Sequence, residues 1–407
     1  MANDGRTPLG RAFTRFWIGS LASNLADGMA IIALPLVATL VTDDPLVVSG
    51  LFAARFLPWV LFGLFAGVVA DRVDRARLMV AANLVRVGAL VVLAVVIAAG
   101  HGGIWVLYGV MFAVMTCEVC YDIAGRALLP DLALAGTIDR ANGRMEGGRT
   151  VTQDFAGGPV AGLLFVVAAF LPVAATSVAY LLGALVLLGL PRSRPAAGPS
   201  PMADLRAGFV FVFMRSSLGP VLLFSVALNT AFMGLSAVLV LLARDHFGVA
   251  PSLYGVFVGS SAVGAVVGAA SAGWLVARFG RFRLELVLFT VVGLCFLGFG
   301  LAPNAYVAGA AWVVLGAAIT ASNIVMLGAI QLIVPGAQMG RVMSMVAVSA
   351  TAFGPVAALL AGLLGRVELY YVPLASGVLV LASLALSIPA LRNVITEADR
   401  CEDAGRP

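Results

Sequence analysis

The sequence predicts an all-α membrane protein: twelve transmembrane helices in two pseudo-symmetric six-helix bundles. Three observations predict it. Hydrophobic residues are 61% and charged residues 11% of the 407-residue chain, whereas a soluble domain carries about a quarter charged residues. The apolar residues fall in runs of about 20, the length a helix needs to cross a bilayer core. A short charged loop also occurs twice, as Gly67-Val68-Val69-Ala70-Asp71-Arg72-Val73-Asp74-Arg75-Ala76-Arg77 and as Gly273-Trp274-Leu275-Val276-Ala277-Arg278-Phe279-Gly280-Arg281-Phe282-Arg283. Gly67 matches Gly273, Arg72 matches Arg278, Arg75 matches Arg281 and Arg77 matches Arg283, each 206 positions apart and close to half the chain. Halves that repeat with a shared loop are the mark of parallel internal repeats.

The spans follow from where polar residues interrupt the apolar runs. In the first half they are 14–41, closed by the loop at Asp43; 46–70, closed by the charged loop; 78–100, closed near Gly102; 104–126, ending on Arg126; and 145–168 and 171–190, the last stopped by Pro191. In the second half they are 217–243, ending at Arg244; 252–277, ending at the second charged loop; 284–302, stopped by Pro303; 305–333; 342–365, ending at Arg366; and 370–391, ending at Arg392. The expected organisation is a bundle over 1–190, a cytoplasmic linker over 191–216, a bundle over 217–391 and a cytoplasmic tail over 392–407. Within the linker, Asp204 to Arg215 has the make-up of an amphipathic surface helix.

Arginine fixes the orientation. With the N-terminus inside, Arg6, Arg11, Arg15, Arg72, Arg75, Arg77, Arg140, Arg144, Arg192, Arg194, Arg206, Arg278, Arg281, Arg283, Arg341 and Arg392 fall at the cytoplasmic face, while the opposite face keeps Arg244 and Arg366, with Arg55 near a span start. The positive-inside bias then expects both termini in the cytoplasm of a multi-pass protein of a bacterial plasma membrane. The net charge of +5 reads as topology, so no nucleic-acid partner is expected. All 25 basic residues are arginine, which excludes a phosphate-binding G-x-x-x-x-G-K-[ST] loop. Neither H-E-x-x-H nor G-x-S-x-G occurs, and no enzyme activity, metal or cofactor is expected. Cys117, Cys120, Cys295 and Cys401 form no disulfide framework.

The charged loop resembles the loop between spans two and three of the major facilitator superfamily, G-x-x-x-D-R-x-G-R-[RK]. Gly67, Asp71, Arg72 and Arg75 carry the match; Asp74 stands where the family has glycine, and the second basic residue is displaced to Arg77. The resemblance implies the major facilitator fold and alternating access. It also implies a conformational latch made of Gly67, Asp71, Arg72, Arg75 and Arg77, with Asp71 meeting the start of span 11 near Gly340 to Ser344, and with Asp122 able to pair with Arg126 or with Arg75. Gly157-Gly158-Pro159-Val160-Ala161-Gly162 resembles part of the span-5 signature of proton-linked exporters, which implies a kink at Gly158, Pro159 and Gly162. The start Arg15-Phe16-Trp17-Ile18-Gly19, the segment Asn24 to Gly28 and the run Ala127-Leu128-Leu129-Pro130 are similar to the macrolide-efflux and enterobactin-exporter group.

Ionisable residues inside spans are costly and point to function. Asp27, Arg86, Glu118, Asp122 and Asp154 lie in the first half, whereas Asp245, Glu285 and Glu368 are read as sitting at ends or loops. Asp27 shares a helix face with Ser20 and Asn24, and no arginine lies in its own span at similar depth. It is therefore expected to be the main proton-coupling carboxylate, assisted by Glu118, with Asp154 next; the alternative is an Asp27 permanently paired with an arginine. Asn229 and Asn323 supply neutral hydrogen-bonding groups to a mainly apolar cavity, which suits a hydrophobic or amphiphilic substrate better than a sugar. The expected partners are a small-molecule substrate, protons and the lipid bilayer, and the expected state is a monomer. Proton-coupled efflux is the leading expectation; proton-coupled uptake of a small organic solute is the alternative.

Overall fold

In the computed structural model, described over residues 10–100, 103–134, 137–191, 218–334 and 352–403 together with 339, 342–343, 345–346 and 349, every regular element is helical. The first half supplies α1 (Arg11–Ala38), α2 (Pro45–Arg72), α3 (Arg75–Ala98), α4 (Ile104–Leu132), α5 (Ile138–Arg149), a π-helix (Thr150–Gly157), α6 (Gly158–Val167) and α7 (Leu171–Leu187). The second supplies α8 (Leu218–Leu241), a π-turn (Leu242–His246), α9 (Pro251–Phe279), α10 (Arg281–Gly300), α11 (Ala305–Ile333), α12 (Gly354–Gly365) and α13 (Tyr371–Asp403). Among the described residues ten helices are long and apolar enough to cross a membrane, and Leu171–Leu187 and Gly354–Gly365 are shorter apolar helices. Large apolar side chains such as Phe65, Val95, Val167 and Leu386 are exposed on these helices, as expected where lipid is the solvent.

Helix boundaries follow local chemistry. Asp74 caps α3 by accepting from the Arg77 N–H, and Asn304 caps α11 by accepting from the N–H groups of Tyr306 and Val307. Asp44 does the same for α2, accepting from Leu46 N–H just before Pro45 at the first helical position. The charged loop is shorter than the sequence implies, because α2 continues through Asp71 and Arg72 and leaves only Val73 and Asp74 between helices. The side chains of Gly67 and Asp71 lie outside the described ones, as do residues 192–217 of the linker and Gly340, Arg341 and Ser344, where Asp71 was expected to dock. The expected tail from 392 continues α13 as helix to Asp403, burying Val394, Ile395 and Ala398.

The chain forms two compact units. Unit 1 comprises 1–42, 54–199 and 250–256; unit 2 comprises 43–53, 200–249 and 257–407. In unit 1, α1 packs on α7, and α3 on α4 and α7. Phe13, Phe16, Met79, Tyr121, Leu128 and Leu187 centre one core. In unit 2, α13 packs on α8 and α10, and α10 on α11, around Phe224, Phe289, Leu384, Leu391 and Ile395.

Close backbone approach sets the geometry of span 5. A Cβ on Gly28 would enter the backbone of Gln153, and one on Gly157 would enter the backbone of Gly28. The π-helix ends where Pro159 begins to deny an amide N–H to the preceding turn. Gly158 and Gly162 meet the backbones of Gly255 and Ser252, so two of the three residues expected to kink span 5 also serve close packing. Gly28→Val should lower stability by at least about 1–3 kcal/mol, because backbone cannot step aside as a side chain can. Gly88→Val, with open space around it, should be neutral. Equal unfolding temperatures for the two purified variants would refute this.

Ion pairs brace the helix ends. Arg75 reaches Asp131 and the Ala127 carbonyl, each at 3.0 Å. Its repeat partner Arg281 reaches Asp399 and Glu402, each at 2.6 Å. Arg75 therefore pairs with Asp131, not with Asp122 as the family resemblance implied. In unit 2, Arg366 grips Asp44 through Nε at 2.8 Å and Nη2 at 2.5 Å, and Arg244 meets Asp43 at 2.6 Å. The Arg366 hydrogen bond leads the pull on the Asp44 carboxyl, helped by the Leu46 amide, from the usual value near 4 down to about 2. Since the folded state favours the ionised form, this contribution is complete above about pH 4 and fades as pH falls towards 2. Arg366→Gln should therefore lower the unfolding temperature slightly at neutral pH and have no effect at the acid end of a pH series.

Candidate functional site

Periodicity brings two pairs of polar residues face to face in unit 1. Ser23 and Asp27 lie four apart on α1, and Asn83 and Arg86 three apart on α3. Arg86 Nη1 lies 3.5 Å from Asp27 Oδ1, and Tyr180 of α7 donates its hydroxyl to the same oxygen at 2.5 Å. Arg86 also donates Nε–H to the Val114 carbonyl at 3.3 Å and Nη1–H to Asn83 Oδ1 at 3.5 Å. Asn83 Nδ2 donates to Ser23 Oγ at 2.9 Å, and Ser23 donates to the Gly19 carbonyl. The guanidinium sits 4.8 Å from the Tyr180 ring centre and 5.3 Å from that of Tyr121, a cation–π arrangement strengthened by desolvation. Arg86 is 0% and Asp27 3% exposed.

This network encloses Asp27 in the conformation described and sets it against an arginine. Its arginine comes from α3, and among the described residues one Arg86 nitrogen, Nη2, makes no hydrogen bond. The paired alternative is the one the geometry fits. Tyr180, Asn83 and Ser23 escaped the sequence reading. Their signal is faint: polar side chains within apolar runs, with Asn83 one turn from Arg86.

Beside this network lies a cavity of about 350 Å³, at the lower end of the range for small-molecule sites. Phe16, Ser20 and Asn24 of α1 form one wall; Tyr121, Asp122, Gly125, Arg126 and Leu129 of α4 another; Asn142, Met145, Glu146 and Arg149 of α5 a third, with Met79 of α3. Among the described residues the buried Ser20 Oγ and Tyr121 Oη make no well-formed hydrogen bond, and Tyr121 stands close to the hydroxyls of Ser20 and Ser23. Glu146 is held by Arg149 at 2.6 Å. Asp122 is half-buried and makes no ion pair among the described residues, although Arg126 stands one turn away on the same wall.

The other expected site residues scatter. Asn24 is buried and lines the cavity. Glu118 is half-buried one turn from Asp122, and its charged neighbours are Asp27, Arg86, Asp122 and Arg55. Arg55 lies ten residues into α2, not at its start, with Glu118 and Asp27 as its opposite charges. Asp154 is exposed on the π-helix. In unit 2, Asn229 is half-buried and donates to the Ser225 carbonyl of its own helix at 2.8 Å, while Asn323 is exposed. Arg72 and Arg77 are exposed. Glu285 lies near the start of α10, as expected, but is 0% exposed and bonded to Ser322.

The family model described as "Transmembrane secretion effector" matches residues 6–403. Macrolide efflux protein A of Streptococcus pyogenes is 24% identical over 285 residues, covering 68% of this chain and 69% of that protein. Macrolide efflux protein A of Enterococcus faecalis is 24% identical over 244 residues, covering 58% and 73%. Among solved structures, a nucleoside transporter superposes with a TM-score of 0.77 at 14% identity, over 94% of this chain and 100% of that one. A bacterial homologue of the iron transporter ferroportin, in an inward-facing state, superposes with a TM-score of 0.73 at 16% identity, over 95% and 100%. At such identities the structures speak for the fold alone.

Proposed function

The chain belongs to the transmembrane secretion effector family of major facilitator transporters, and we propose that it exports a hydrophobic or amphiphilic drug-like compound or natural product in exchange for protons, by alternating access. One observation carries this reading: a cavity walled by Phe16, Met79, Leu129 and Met145 that holds one carboxylate, Asp122, without an ion pair among the described residues. Apolar walls take up a lipophilic body, and a carboxylate outside any ion pair among the described residues can exchange a proton or meet a cationic group on the substrate. The efflux relatives favour the outward direction.

In this reading Asp122 takes the coupling role first expected of Asp27. Glu118 and Asn24 extend the polar path beside it, Asp154 is peripheral, and Asn229 and Asn323 serve the second half. The ten long helices and two shorter apolar ones fit twelve spans in two six-helix bundles, with both termini in the bacterial cytoplasm. Gly67, Asp71, Arg72, Arg75 and Arg77 act as the latch of the transport cycle.

Everted membrane vesicles test the proposal. With the lumen made acidic, vesicles carrying the protein should accumulate a macrolide or another amphiphilic probe, and a protonophore should collapse the accumulation. Accumulation only in right-side-out vesicles would make the protein an uptake symporter. Failure to move any probe or any proton in either orientation would sink transport of this kind.

A further inference from the structure

Glu285 stands apart from the charge cluster of unit 1. It lies on the second turn of α10 and is 0% exposed. Ser322 of α11 donates its hydroxyl to Glu285 Oε2 at 2.7 Å, and Oε1 has no hydrogen-bond partner among the described residues. Among the described residues, no cation on the helices packed around it pairs with it. α8 and α11 carry no Asp, Glu, Arg or Lys. On α10 itself, Arg281 lies one turn away but is bound by Asp399 and Glu402 of α13, and Arg283 is exposed. The remaining charged residues on α13 are Arg392, Glu397, Arg400 and the terminal Asp403, and none of Arg392, Glu397 and Arg400 forms an ion pair or hydrogen bond with Glu285 among the described residues.

A bare carboxylate in this place would keep a negative charge with one donor on one oxygen and none on the other, the costliest kind of buried group. A carboxylic acid needs far less. Its hydroxyl and that of Ser322 can exchange donor and acceptor roles, and no net charge remains to solvate. Two protein oxygens are too few to strip and hold a metal cation, which takes about six oxygen ligands or more. We infer that Glu285 carries a proton in the conformation described, and that it is a second proton-loading residue, in unit 2, independent of the carboxylates of unit 1. When the contact between α10 and α11 admits water, the proton leaves to solvent and the carboxylate is hydrated; when the contact closes, the acid forms again. Its part in coupling rests on the proton-driven export proposed above, whereas its protonation does not.

Infrared spectroscopy of the purified protein in lipid reads the proton directly. A protonated carboxyl has a C=O stretch that a carboxylate lacks. The wild type should show such a band at neutral pH, and E285Q should lose it while Asp122→Asn keeps it. Ser322→Ala should shift the band, because the acid loses its hydrogen-bond partner, and should leave the fold intact even where a change at Glu285 does not. Identical carboxyl regions for wild type and E285Q would overturn the protonation. In vesicles E285Q, which mimics the acid but cannot release a proton, should flatten the pH dependence of transport and move fewer protons per substrate. An unchanged pH profile and proton count would remove Glu285 from coupling. If no probe moves in any vesicle yet the band behaves as expected, the export reading fails and the proton site stands.

Discussion

Arg86→Leu will cost the fold about 3–5 kcal/mol, the scale for removing one partner of a buried ion pair. Arg86 is wholly enclosed, and its loss leaves Asp27, itself 3% exposed, without its ion-pair partner while keeping the Tyr180 hydroxyl bond. The Val114 carbonyl and Asn83 lose a donor as well. The double variant Asp27→Asn/Arg86→Leu should recover much of that stability, because no charge then remains to be buried. Arg126→Leu, at an exposed position, should stay within about 0.5 kcal/mol of wild type. The measurement is unfolding of the purified variants in one detergent. If Arg86→Leu unfolds where the wild type does, or the double variant fares no better than Arg86→Leu, the pair does not hold the fold in this way.

The same pair marks where sequence reading stops. The helical membrane class was legible because every span must satisfy its backbone internally, which forces long apolar runs whatever the tertiary contacts. The two charged loops were legible for a similar reason: Arg75 and Arg281 sit at equivalent positions and each braces its helix on an acid further along the chain. The identity of those acids was not, since Asp131 and Asp399 lie beyond the apolar runs, on helical extensions that hydropathy does not delimit. Asp27 was recognised as costly, but its cost was weighed only against residues of its own helix. The compensating cation stands 59 positions away on α3, and no periodicity within α1 reveals it. Glu285 failed the other way. Lying between Arg281, Arg283 and the apolar run, it looked like part of a solvated helix end, and only the packing of α11 and α13 buries it. Arg55 was misplaced for want of depth: α2 begins at Pro45, so position 55 is well inside the helix.

Asp122→Asn should abolish proton-driven export while leaving the protein folded. The residue is the carboxylate on the cavity wall that makes no ion pair among the described residues, since Glu146, also on the wall, is bound by Arg149. Half-buried, it is reachable by both water and substrate, whereas Asp27 is closed off by Arg86 and Tyr180 and lies outside the cavity. An amide at 122 keeps the shape and hydrogen bonding of the protonated acid and removes only the change of charge. Net uphill accumulation in everted vesicles should therefore fall about tenfold or more, equivalent to at least ~1.4 kcal/mol on the transport step. Exchange of substrate against substrate, which needs no net proton movement, should survive. Glu118, one turn deeper on α4, tests whether the proton moves on from there: Glu118→Gln alone should slow accumulation without abolishing it. A cationic probe should suffer more than a neutral one in Asp122→Asn, because the cavity loses its negative charge. Should Asp122→Asn concentrate its substrate as the wild type does, the coupling carboxylate lies elsewhere, and Glu118 and Glu285 become the groups to exchange.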